Sequence, residues 1–97
     1  MRFTEFLDVI DKRLIIKRHA NQNDRWTATI EDAEIKDGAI LKGIYGIGNN
    51  SNNAIIDYIS SILGDTIIFN AANKDNRQEY VVPKEFDLTE FGVSNKR

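Results

Sequence analysis

The stretch Tyr45-Gly46-Ile47-Gly48-Asn49-Asn50-Ser51 separates two kinds of hydrophobic periodicity. Before it, Ala39 to Tyr45 alternates as a strand does. After it, Ile55, Tyr58, Ile59, Ile62 and Leu63 recur at helical spacing, which predicts the main helix over Asn53 to Leu63. Asn50 or Ser51 can accept a bond from the first free amides, and Gly64 suits the left-handed residue that ends a helix. Gly46 and Gly48 read as a glycine-permitted turn from strand to helix. A change of period within so few residues means that strands and helices alternate in one small unit.

Upstream, Phe3, Phe6, Leu7 and Ile10 recur three and four apart between acids, which predicts a short amphipathic helix over residues 4–11 capped by Thr4. Two further strands are predicted, Arg13 to His19 and Arg25 to Ile30. The turn between them is Ala20-Asn21-Gln22-Asn23-Asp24, since Asn and Asp tolerate left-handed backbone. In the second strand Trp26, Ala28 and Ile30 share one face while Thr27, Thr29 and Glu31 share the other, as when one side of a sheet is covered and the other wet. Asp37-Gly38 reads as the turn into the third strand. Downstream, Thr66 to Ala71 and Arg77 to Val82 read as a hairpin around Asn73-Lys74-Asp75-Asn76, ended by Pro83. The predicted class is therefore α+β, with a short N-terminal helix, a three-stranded antiparallel sheet, the main helix and a C-terminal β-hairpin, in the order α-β-β-β-α-β-β. Residues 1–84 are expected to form a single domain and residues 85–97 a partly ordered tail.

Composition narrows the function classes. The chain has 97 residues, 41% apolar and 29% charged, enough for one core. It has no cysteine, so disulfides and thiolate metal sites are excluded and a reducing compartment is expected. The opening Met1-Arg2-Phe3-Thr4-Glu5 lacks the unbroken apolar core of a signal peptide, and a cytoplasmic location without membrane association is the expectation. A net charge of -2 argues against general affinity for polyanions, yet the charge is uneven. Lys12, Arg13, Lys17, Arg18 and Arg25 cluster on one side, and Glu31, Asp32, Glu34 and Asp37 crowd a short acidic stretch read as a solvated hairpin connection.

The residues Arg25-Trp26, Ile35-Lys36-Asp37-Gly38, Leu41-Lys42-Gly43, Tyr45-Gly46-Ile47-Gly48, Ala54-Ile55-Ile56-Asp57-Tyr58 and Tyr80-Val81-Val82-Pro83 resemble a group of small uncharacterised tailed-phage proteins from Gram-positive hosts. That resemblance implies a phage or prophage product acting in the host cell. The order of helix, three strands and helix is similar to the double-stranded-RNA-binding domain, and its strand-and-helix part to the HicB-type antitoxins. The former family carries lysines at the start of its second helix; this chain has Asn50-Ser51-Asn52-Asn53-Ala54 there, so gripping of duplex RNA is not expected.

Other motifs carry less. Gly46-x-Gly48-x-x-Ser51 imitates a dinucleotide fingerprint, but a domain this small lacks room for the full crossover fold, and no cofactor is expected. The acidic stretch departs from a calcium loop at Lys36 and Gly43, so no metal is expected. His19 is the only histidine, and lone-histidine ribonucleases among HicA-like toxins make a cleavage role a third alternative. Trp26, Tyr45, Phe69 and Tyr80 are candidates for a base-stacking platform, with Trp26 and Phe69 better read as core. If Leu14 and Ile16 point inward, Lys17 and His19 point outward beside Arg25, Thr27 and Thr29 on an open sheet face. The candidate contact set is Lys12, Arg13, Lys17, Arg18, His19 and Arg25. The expected function is non-enzymatic binding of a host or phage protein, with nucleic acid as runner-up and a second copy of the chain as a further candidate partner.

Overall fold

The computed structural model describes residues 1–93. Helix α1 (Phe3–Ile10) buries Phe3, Phe6, Leu7 and Ile10, the one stripe that its spacing allows. Its N-terminus is held by Glu5, whose carboxylate accepts the Arg2 N–H at 2.8 Å. Thr4, expected as the cap, lies inside the first turn instead and donates its hydroxyl to Glu90 at 2.7 Å. Strands β1 (Leu14–His19) and β2 (Arg25–Ile30) pair antiparallel, from Leu14 opposite Ile30 to His19 opposite Arg25. Between them Asn23 and Asp24 take φ of 58° and 56°, the left-handed geometry that their short polar side chains tolerate.

The chain continues through β3 (Glu34–Asp37), β4 (Ile40–Lys42), β5 (Gly46–Gly48), helix α2 (Ser51–Ile62), β6 (Thr66–Phe69) and β7 (Gln78–Val81). Here the structure corrects the sequence reading. Residues 39–45 do not supply the third strand of the first sheet. Asp37-Gly38 is a turn, with Gly38 at φ +63°, but it joins β3 to β4 in a hairpin of its own. The acidic stretch is likewise not a plain connection. Glu34 and Ile35 pair with Ile68 and Ile67 of β6, and Ile35 is buried. Two antiparallel sheets result, three-stranded in the order β1-β2-β5 and four-stranded in the order β4-β3-β6-β7. The expected C-terminal hairpin exists, as half of the larger sheet.

The third strand of the first sheet is the glycine stretch itself. Gly46 and Gly48 of β5 lie opposite Ala28 and Trp26. Neither has positive φ, so they are not turn glycines. A Cβ built on Gly46 would lie 2.1 Å from the Ala54 carbonyl oxygen, and one on Gly48 would lie 2.5 Å from the Ala54 nitrogen. Strand and helix backbones therefore meet with no room for a side chain, one of the few good uses of glycine inside a strand.

Helix α2 packs on β5 and β2, burying Ile55, Tyr58, Ile59 and Ile62. Asn50 caps it by accepting the Asn53 N–H at 2.8 Å. These side chains join the buried face of α1, Ile67 and Phe69 in one hydrophobic cluster. After Val82 the chain turns back over α1. Phe86 meets Phe3 edge to face, with ring centroids 5.3 Å apart, and the Asp87 N–H donates to the Met1 carbonyl at 3.0 Å. The end of the expected tail, residues 94–97, lies outside the described residues. No helix among the described residues is long and apolar enough to cross a membrane.

Candidate functional site

Since α2 covers the Trp26, Ala28 and Ile30 side of the three-stranded sheet, the alternation of strand side chains leaves the opposite side open. The register sets its layout. Lys17 stands opposite Thr27, which stands opposite Ile47; His19 stands opposite Arg25, and Ile15 opposite Thr29. These side chains, except Ile47, line a concavity of ≈ 440 Å³, to which Tyr45 adds a wall and Glu31 and Asp32 an acidic end. The threonines are held in place: Thr29 donates to the Ile44 carbonyl at 3.0 Å, and Thr27 shares a 3.0 Å hydrogen bond with His19 Nε2. Tyr45 is 57% and Ile47 44% exposed, so the face offers apolar surface as well as charge.

The six sequence-predicted contact residues do not converge. Lys17, His19 and Arg25 line the concavity. Arg13 is tied to Glu31, Nη2 to the two carboxylate oxygens at 2.9 and 3.1 Å, which holds its guanidinium above the ordinary range through the hydrogen bond and the attraction. Arg18 falls on the Trp26 side of the sheet and pairs with Asp24 at 2.6 Å. Lys12 leaves the face altogether, its Nζ 4.4 Å from the centre of the Phe69 ring. Lys17 and Arg25 form no ion pair among the described residues.

The other motifs disperse. The glycines of the fingerprint are covered by their own helix, and the Ile47 N–H between them donates to Asp57 Oδ2 at 2.8 Å, so those backbone groups are not presented to a pyrophosphate. Of the four acids, Glu31 serves Arg13, Glu34 lies in β3, and Asp37 pairs with Lys42, which lowers the Asp37 carboxyl through hydrogen bond and charge. Among the described residues no three His, Asp or Glu side chains are grouped so as to hold a metal ion. Phe69 is buried and packs on Tyr80 in the larger sheet, centroids 6.0 Å apart, while Trp26 packs on the core and Tyr45 stands on the open face. They form no shared stacking platform.

Ile47 was not singled out by sequence reasoning. Its signal was present: where two glycines flank one residue of a strand and a helix lies on the glycines, the middle side chain must point the other way. Asp57, which holds the outer edge of β5, carried no comparable signal. No protein-family model, curated protein or solved structure matches the chain.

Proposed function

We propose that this chain is a non-enzymatic phage accessory protein that binds a protein partner in the host cytoplasm through the open face of its three-stranded sheet. The observation that carries this reading is the mixed chemistry of that face. Exposed Tyr45 and Ile47 sit beside hydrogen-bonded threonines, with cations at one end and acids at the other. Protein interfaces combine an apolar, aromatic-rich centre with a polar rim in this way. Polyanion binding draws instead on many unpaired cations, since its affinity comes from phosphate neutralisation and counterion release. Arg13 and Arg18 already have carboxylate partners, which leaves little basic surface for that purpose. The open face also argues for binding rather than catalysis: His19 bonds to a threonine hydroxyl, and among the described residues no carboxylate orients it.

Capture from a nuclease-treated lysate of a Gram-positive host, with the wild type beside Thr27→Arg, tests the proposal. A partner retained by the wild type after nuclease treatment and lost by Thr27→Arg is expected. Thr27→Arg retaining the same partner, or capture that disappears with nuclease, would overturn it. Tight, salt-sensitive duplex binding abolished by Lys17→Ala with Arg18→Ala would promote nucleic acid in its place.

A further inference from the structure

We infer that the open face takes an acidic, extended segment of its protein partner, with carboxylates held by Lys17 and Arg25 and apolar side chains laid against Ile15, Tyr45 and Ile47. This rests on the reading of the face as a protein-binding surface and specifies what it recognises.

Charge complementarity carries the inference. The basic side chains near this face fall into two groups. Arg13 and Arg18 each contact an acid of this chain, at 2.9 and 2.6 Å. Lys17 and Arg25 have no such partner among the described residues, and the register puts them on the same face. Arg25 stands opposite His19, and Lys17 lies two residues along the neighbouring strand. Diagonal neighbours of that kind are roughly 7–8 Å apart, close enough for like charges to repel and for one carboxylate-bearing segment to reach both. Two uncompensated cations at one mouth of the concavity favour an anionic occupant there; at its other mouth Glu31 is engaged by Arg13, and Asp32 alone adds an acid without an ion pair among the described residues.

The apolar share of the face selects the type of anion. Ile15 is half-buried in the floor, and Tyr45 and Ile47 are exposed at 57% and 44%. A free phosphate uses none of this surface. An extended peptide does, because alternate side chains of a strand point the same way and can place acids on the cations and apolar groups on the floor.

The test titrates isotope-labelled protein with a short Glu-Ser-Leu-Ser-Glu-Ser-Leu peptide, whose acids and apolar side chains share one face when it is extended. A counterpart with lysine in place of glutamate, inorganic phosphate and a single-stranded oligonucleotide serve as comparison probes, all followed by backbone-amide NMR. Saturable shifts at Ile15, Lys17, Arg25, Thr27 and Tyr45 are expected with the acidic peptide alone. Lys17→Ala with Arg25→Ala should weaken that binding roughly tenfold, two exposed charge contacts being lost, while Lys74→Ala in the distant β6–β7 connection leaves it unchanged. Both altered side chains are exposed, and an unchanged melting temperature verifies that the fold is intact. Equal binding of the lysine peptide, or unchanged affinity in the double variant, would overturn the inference. So would phosphate or the oligonucleotide producing the same saturable shifts. A lysate partner lost by Thr27→Arg but kept by the double variant would remove the acidic segment and leave the protein-binding face standing.

Discussion

At Gly46 a single methyl group decides whether α2 can lie on its sheet. Since an added Cβ would sit 2.1 Å from the Ala54 oxygen, a backbone atom that cannot swing aside, Gly46→Ala should cost about 3 kcal/mol or more. Gly43 is the control, because its φ is not positive and a Cβ added there would meet nothing within 4 Å. Gly43→Ala should stay within about 0.5 kcal/mol. Urea denaturation midpoints of the two variants decide the matter; equal midpoints would mean that helix and strand do not meet there. Tyr58 makes a second residue-scale prediction. Burial raises its phenol above the ordinary value of 10.0, against lowering hydrogen bonds with the Ile30 backbone and the Thr29 side chain. The unfolded chain therefore releases this proton first as the pH rises. The associated stability is fully present below about pH 10 and is lost as the pH climbs from the unfolded value through the raised folded one. Tyr58→Phe should flatten that alkaline loss, as followed by denaturation at a series of pH values, whereas an identical slope in both proteins would contradict it.

At the scale of elements, α2 is the keystone: its stripe covers β5 and β2 and closes the core. Ile59→Ala should cost about 2–5 kcal/mol by removing buried methylene groups and leaving a cavity. An unchanged denaturation midpoint would remove Ile59 from the core. This helix was legible in the sequence, as were α1 and the β1–β2 pair, because long regular periods and a strong Asn-Asp turn leave few alternatives. The strands that escaped are short ones fixed by distant partners. β3 offers one buried apolar side chain, Ile35, among charged neighbours, and its partner β6 lies far along the chain, beyond α2. β5 has two glycines in three residues, a composition that reads locally as a turn and becomes a strand because Ala28 and Trp26 pair with it while α2 presses on it. The Asp37-Gly38 turn was read correctly but assigned to the wrong pair of strands, since turn chemistry fixes a reversal and not the sheet it belongs to.

Across the whole molecule, the sequence displayed a basic edge and an acidic stretch, and folding rearranges both. Pairing removes Arg13 and Arg18 from the basic set, Lys12 turns to Phe69, and Lys17, His19 and Arg25 remain on the open face. That such a face exists was legible from the alternation of Trp26, Ala28 and Ile30 with Thr27, Thr29 and Glu31. Its apolar flank was not, because Ile47 joins the face only through the β5 pairing. The most direct measurement on the proposed function is the backbone-amide NMR spectrum of the labelled protein, free and then bound to the partner captured from host lysate. The largest shifts are expected at Ile15, Lys17, Thr27, Thr29, Tyr45 and Ile47, with Ile40 and Val81 at the edges of the larger sheet unmoved. Shifts centred on β4, β7 or α1, with the open face silent, would contradict the proposal.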